Sequence, residues 1–365
     1  MNIKTIETYP VAIPLHKPFK TALRTVTVAE SIYVKITCDD GTTGWGEAPP
    51  THVITGESLF SIQETIKHIL SPALIGKSLL AREEVLHLLH TSIVGNTSAK
   101  AAVDIALHDC FAKRCGLPLY QLLGGSTSQL ETDYTVSVNS PAEMAEDAAA
   151  YVENGFPVLK IKVGKDTIAA DIARIEAIRE RIGSEATIRL DANQGWTPKE
   201  AVSAIQQMEQ RELGIELVEQ PVPAHDIEGL KYVTDHTSIH IMADESVFSE
   251  EDARRVLVTR SADLLNIKLM KAGGIHKALQ INKLAESFGV PCMVGSMIET
   301  KLGVTAAAHF AASQRNVTRV DFDAPLMLSE DLIDGGMQYN GRIITFTDEA
   351  GLGITNVRTE KEAIR

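Results

Sequence analysis

Cysteine is scarce. Cys38, Cys110, Cys115 and Cys292 are scattered through 365 residues without a C-x-x-C spacing. That excludes a disulfide framework and a cysteine zinc site, and a reducing, cytoplasmic setting is the expectation. No apolar run approaches the roughly 18 residues of a membrane span. The first residues, MNIKTIETYP, hold no apolar stretch of the signal-peptide kind. Positive charge is in deficit, with 35 Lys and Arg against 48 Asp and Glu and a formal net charge of −13. A basic footprint for nucleic acid or an anionic membrane is therefore absent, and neither partner is expected. No phosphate-binding glycine loop occurs. What is present is an ordinary globular balance, 44% hydrophobic and 23% charged, long enough for one large domain and a smaller one.

Residues 1–125 read as an α+β capping domain. Residues 2–13 alternate weakly, and Ile32–Thr37 followed by CDDGTTGWGEA reads as strand, turn, strand. Helical stretches follow, such as SLFSIQETIKHIL and KAAVDIALHDCFAKR. From Thr8 to Ala29 this acidic chain has no acidic residue, while His16, Lys17, Lys20 and Arg24 occur. With Pro10, Pro14 and Pro18 the stretch reads as a loop: a lid presenting positive charge, or a solvated surface segment.

Residues 126–335 change texture. Eight short apolar strands alternate with seven amphipathic helices at a period of 25–31 residues. An α/β fold, a (β/α)-barrel of modified TIM type, is predicted. The tail, 336–365, reads as strand and turn and is grouped with the capping domain.

Charged residues sit where the barrel strands end. In PVLKIKV, Lys160 and Lys162 share a face because side chains alternate along a strand. A basic edge facing solvent does not suit a barrel, which has no edges. Asp191, Glu219 and Asp244 each close an apolar run on three consecutive strands. Singly, each could cap a helix. Together they form an all-oxygen set suited to a hard cation such as Mg²⁺. In LLNIKLM, Leu264, Asn266, Lys268 and Met270 share a face. Lys268 lies four strands from Lys162, which in an eight-stranded ring is the opposite side. Opposed lysines suit proton transfer on both faces of one carbon, although a lone inward lysine could also be an ion-pair partner for the acids. In TRVDFDA, Asp321 and Asp323 share a face with Arg319. They could bind a cation or a substrate ammonium, or be structural if Arg319 compensates them.

KIK at 160–162, DANQGW at 191–196, EQP at 219–221, ADES at 243–246 and NIKLMKAGG at 266–274 resemble the enolase superfamily, muconate-lactonizing subgroup. DFD at 321–323 with SMIE at 296–299 looks like its dipeptide epimerases. The resemblance implies an isomerase that epimerises dipeptides, L-Ala-L-Glu to L-Ala-D-Glu, by two-base proton transfer through an enediolate. It implies one Mg²⁺ per subunit on Asp191, Glu219 and Asp244, with Lys162 and Lys268 as the acid/base pair. Lys160 would sit beside Lys162 and keep its pKa low. Asp321 and Asp323 would hold the dipeptide ammonium. Ser296, Ile298 and Thr135 would contact the peptide, and Arg24 would meet the side-chain carboxylate of the second residue. A role in murein peptide recycling is implied by the resemblance alone. N-acylamino acid racemase or o-succinylbenzoate synthase activity is the alternative, but their substrates lack an ammonium that needs a carboxylate pair. A homo-oligomer acting on a small-molecule substrate is expected.

Overall fold

The structure is a computed structural model and describes residues 1–359. Three antiparallel strands open the chain: β1 (Ile3–Lys20), β2 (Thr25–Cys38) and β3 (Thr43–Ala48), in the order β1-β2-β3. Here the structure corrects the loop reading of residues 8–29. Pro10 and Pro14 lie within a strand, opposite Ile32 and Val28. Proline is tolerated because β1 is an edge strand, where a missing N–H faces no partner. The supposed loop is a long hairpin turning at residues 21–24, with Thr21 Oγ1 accepting from the N–H of Leu23 (3.1 Å) and Arg24 (3.2 Å). Helices follow, the longest Thr97–Cys115, which is buried along most of its length.

A short strand, β4 (Gln129–Glu131), precedes the barrel. Eight parallel strands then run in chain order: β5 (Tyr134–Val136), β6 (Val158–Lys162), β7 (Thr187–Asp191), β8 (Ile215–Glu219), β9 (His240–Ala243), β10 (Leu264–Ile267), β11 (Cys292–Gly295) and β12 (Val317–Asp321). Both faces of such strands are covered, which explains their apolar runs. Most of the connecting helices start on side-chain caps. Thr197 and Glu200 cap the helix Pro198–Gln210 reciprocally, and Ser249 and Asp252 do so for Glu250–Thr259. Between β12 and β5 the ring is bridged by side chains, with the Phe322 N–H donating to Thr132 Oγ1 (2.8 Å) and the Thr135 N–H to Asp323 (2.6 Å).

The two parts are locked across their interface. Glu47 on β3 is fully buried and accepts from Thr300 N–H (2.9 Å), Thr300 Oγ1 (2.7 Å) and Gly303 N–H (2.7 Å), at the start of the helix Lys301–Ser313. A Cβ on Gly303 would stand 2.4 Å from Glu299 and 3.0 Å from Glu47, so only glycine permits this approach. After β12 the chain forms β13 (Ile333–Gly335), β14 (Gln338–Asn340), β15 (Ile343–Thr345) and β16 (Ile354–Val357). β13 pairs with β16, and β15 with β4 and β14. Leu352 N–H then reaches back to Asp109 on the long helix (2.8 Å). Residues 360–365 of the expected tail lie outside the described residues. Among the described residues no helix is long and apolar enough to cross a membrane.

Candidate active site

The barrel lumen is layered because alternate residues point inward. Leu217, Met242, Leu264 and Met293 form an apolar floor of their own. Two residues further along the same strands come Glu219, Asp244, Asn266 and Gly295. Asp191 and Asp321 stand beside them in register, opposite Glu219 and Gly295 respectively. Gly295 leaves room here, since a Cβ would press on the Asn266 amide at 3.1 Å and Lys268 Cε at 3.3 Å.

Every acid of this layer faces an ammonium. Lys160 Nζ is 2.8 Å from Glu219 Oε2 and 2.6 Å from Asp321 Oδ2. Lys162 Nζ is 2.5 Å from Asp191, and Lys268 Nζ is 2.8 Å from Asp244. Lys271 Nζ is 2.6 Å from the other Asp244 oxygen and also donates to the carbonyls of Val247 (3.1 Å) and Asn266 (3.0 Å). Burial opposes the charge of Asp244, but Lys268 and Lys271 outweigh it and hold its pKa far below the usual carboxylate range. Asp321 is likewise brought down to about 2, burial being outweighed by Lys160 and Lys162. Burial and then Asp191 push Glu219 up. Asp323 is pushed up to about 7 by burial and by Asp321.

Above this layer opens a cavity with about 600 Å³ of empty space. Lys162, Lys268, Asp321 and Asp323 line it from the barrel, together with Thr135 from β5 and Ser296 and Ile298 beyond β11. The hairpin contributes Phe19 and Arg24. Its tip is tied to the barrel rim by Lys17, paired with Glu143 (2.8 Å) and Asp147 (2.7 Å), and by Lys20 to Asn139 (2.7 Å). Lys162 and Lys268 enter from strands four apart in the ring.

Lys160 is bound to Asp321 and Glu219, which with Asp191 outweigh burial and hold its pKa well above the ordinary value, so it stays a cation beside Lys162. Several expectations are corrected. Lys268 is also held high: burial lowers its pKa, but Asp244 and Glu219 more than restore it. For Lys268 the cationic surroundings expected to lower its pKa are outweighed because the Asp244 carboxylate stands closer, at 2.8 Å. Arg319 does not compensate Asp321; its Nε meets Glu216 at 2.8 Å, below the site, where Glu216 also binds Arg189 (2.6 Å). Met270 does not face the lumen. β10 ends at Ile267, and Met270 lies in a short helix, where its sulfur accepts from Ser98 of the cap (3.6 Å).

The sequence assigns no role to Asn193, Glu245 or Lys271, and places Asn266 on the face of Lys268 without a partner. Glu245 follows Asp244, so strand alternation would turn it outward; β9 has already ended at Ala243, and Glu245 lines the cavity instead. Burial and Asp244 raise its pKa to about 8. Asn266 donates to Glu219 Oε1 (2.6 Å).

The donor set fits a hard divalent cation in its chemistry: three buried carboxylates on adjacent strands, with no nitrogen or sulfur. Glu219 Oε2 and Asp244 Oδ1 are buried without an aligned hydrogen bond, although an ammonium is near each. Among the described residues no three acidic, histidine or cysteine side chains converge closely enough to grip an ion as they stand. Each carboxylate is drawn instead to its own lysine.

Comparison with known proteins matches both parts. Residues 3–124 match the mandelate racemase / muconate lactonizing enzyme N-terminal domain, and residues 143–360 the enolase C-terminal domain-like family. The chain is 63% identical over 365 residues to L-Ala-D/L-Glu epimerase of Bacillus subtilis (strain 168), covering 99% of this chain and 100% of that one. A substrate-liganded structure of a B. subtilis enzyme so named has a TM-score of 0.97 at 64% identity, covering 98% and 100% of the two chains. A dipeptide epimerase of Enterococcus faecalis V583, solved with Mg and L-Leu-L-Tyr, has a TM-score of 0.94 at 45% identity, covering 98% and 100%. N-succinyl-L-Arg/Lys racemase of Bacillus cereus is 36% identical over 356 residues, covering 97% and 95%.

Proposed function

The chain belongs to the enolase superfamily, in its mandelate racemase / muconate lactonizing enzyme branch, and from that premise we propose that it is a Mg²⁺-dependent dipeptide epimerase. Its substrate is L-Ala-L-Glu, epimerised at the second residue, with one Mg²⁺ per subunit. The observation that carries this reading is the cavity itself. Two lysines enter it from strands on opposite sides of the ring, and an acidic pair, Asp321 and Asp323, lines it with them.

Asp191, Glu219 and Asp244 are the residues that would hold the metal. The cation supplies positive charge to the substrate carboxylate as charge develops there. Removing the α-proton spreads negative charge from carbon into that carboxylate. One lysine, turned from its carboxylate partner and neutral, takes the proton from one face. The other, still an ammonium, delivers a proton to the opposite face and inverts the centre. Asp321 and Asp323 hold the substrate's α-ammonium, which keeps the peptide from sliding along the cavity. Arg24, from the hairpin, meets the side-chain carboxylate of the second residue. Thr135, Ser296 and Ile298 position the peptide between them.

Incubating L-Ala-L-Glu with enzyme and Mg²⁺ in D₂O should give L-Ala-D-Glu carrying one deuterium on the α-carbon. Recovery of the unlabelled L,L-dipeptide alone overturns the reading. An N-acyl racemase is the second reading, favoured by the nearly neutral pKa of Asp323 and its bond from the Thr135 N–H. N-acetyl-L-Ala-L-Glu separates the two, since only the second reading allows it to match the free dipeptide.

A further inference from the structure

One edge of β2 is open. Residues Thr25–Glu30 lie along the span that pairs with β1 on one side, but β3 joins β2 only from Ile32 onward. Among the described residues no strand covers the other side of that segment. Exposed edges are normally blunted by proline or lysine, and β1 carries three prolines. The segment TVTVAE at 25–30 carries neither; four of its six residues are β-branched, and its only charge is Glu30. This edge forms one wall of a groove with about 1060 Å³ of empty space, and Pro49–Val53 form the facing wall. Arg24, Val53 and Ile298 line both this groove and the active cavity, so the two are continuous.

We propose that the groove extends the active site and binds short peptides joined to the substrate through the side chain of its second residue, laid along β2 as an added strand. The inference rests on the dipeptide reading above. In that reading the substrate's ammonium is fixed at Asp321 and Asp323 and its α-carboxylate at the metal ligands. Neither end can be extended. Asp321 and Asp323 line the cavity but not the groove. The junction lies at Arg24, where the second side chain ends. The ligand class is therefore an isopeptide, in which an acidic side chain carries further residues by an amide bond. Arg24 can donate to an amide carbonyl as well as to a carboxylate. Strand addition uses main-chain hydrogen bonds, so the added residues are read loosely.

The test compares three peptides by α-proton exchange in D₂O with the Mg²⁺-loaded enzyme: L-Ala-L-Glu; the same dipeptide with L-Val-L-Ala on its side-chain carboxyl; and the linear α-linked L-Ala-L-Glu-L-Val-L-Ala. The side-chain-extended peptide should reach a kcat/KM at least equal to that of the dipeptide, and the linear one should be inert. Thr27→Trp, at a position lining only the groove, should raise KM for the extended peptide tenfold or more and leave the dipeptide unchanged. His52→Trp on the facing wall repeats the test should the strand variant fail to fold. An extended peptide poorer than the dipeptide overturns the proposal, as does a tryptophan that moves both substrates equally or neither. If only the extended peptide exchanges, the groove is supported and the dipeptide reading is corrected. If neither exchanges, the function reading falls and the groove falls with it.

Discussion

Lys160 offers the sharpest test of how the site is held together. It is 1% exposed and lies between two buried carboxylates, 2.8 Å from Glu219 and 2.6 Å from Asp321. Lys160→Met keeps the length and removes the charge. Removing one partner from a buried ion pair costs about 3–5 kcal/mol, because the other charge stays behind. Here two acids are left. Asn266 still donates to Glu219, but Asp321 keeps no partner among those described above. At roughly 3 kcal/mol per molar in urea, the unfolding midpoint in chelator should fall by about 1 to 1.7 M. Mg²⁺ should restore part of this. A ligand at a hundred times its dissociation constant stabilises by about 2.7 kcal/mol, and the more negative site of the variant should bind the cation more tightly than the wild type. Urea unfolding by circular dichroism, with chelator and with Mg²⁺, measures both effects. A loss under about 1 kcal/mol in chelator would refute the pairing. A Mg²⁺ stabilisation no larger in the variant than in the wild type would refute the shared role of these carboxylates.

Other predictions follow from the same geometry. Lys162→Ala and Lys268→Ala should each lower epimerisation by at least about 10²-fold, while each variant still exchanges the α-proton of one epimer; near-wild-type epimerisation by either would end the two-base reading. Because Asp323 is pushed up to about 7 by burial and Asp321, it gains its charge as pH rises through neutrality. KM for L-Ala-L-Glu should therefore fall between pH 6 and 8 more steeply in the wild type than in Asp323→Asn, and equal slopes would remove Asp323 from ammonium binding. N-acetylation of the dipeptide should lower kcat/KM by about 30-fold or more, the loss of a buried charge partner. Glu47→Gln sets an amide N–H against one of three donors and should cost about 1–3 kcal/mol; an unchanged urea midpoint would show that this contact does not lock cap to barrel.

The barrel was legible because its strands are short apolar runs that carry their charge at the C-terminal end. Alternation then decides which side chains share a face, and Lys160, Lys162, Asp191 and Glu219 follow from counting by two. Counting fails where a strand stops. Met270 and Glu245 were misread or missed for that reason, since both lie just past the ends of β10 and β9. Partners across the lumen are not written in any one strand. Glu216, rather than Asp321, takes Arg319, because the stagger of the ring brings residues of distant strands together. The hairpin was misread because three prolines signal a loop, whereas an edge strand accommodates them.

The four lysines of the site fall into two classes, and the division bears on the chemistry. Lys160 and Lys271 are each 1% exposed and do not line the cavity, while Lys162 and Lys268 are 7% and 8% exposed and do. Lys271 is anchored by two carbonyls besides Asp244, and Lys160 by two carboxylates. Neither can turn without leaving buried charge unpaired. Lys162 and Lys268 have one carboxylate partner each, Asp191 and Asp244. When the charge of those carboxylates is taken up, the inner lysines remain held by their other partners and the outer two lose the carboxylate each one touches. For Lys268, whose pKa burial lowers and Asp244 raises first, the balance then moves toward the neutral amine. The ion pairs that hold Lys268 protonated are thus the same contacts that metal ligation at Asp191, Glu219 and Asp244 would release. The two lysines so freed face each other across the ring.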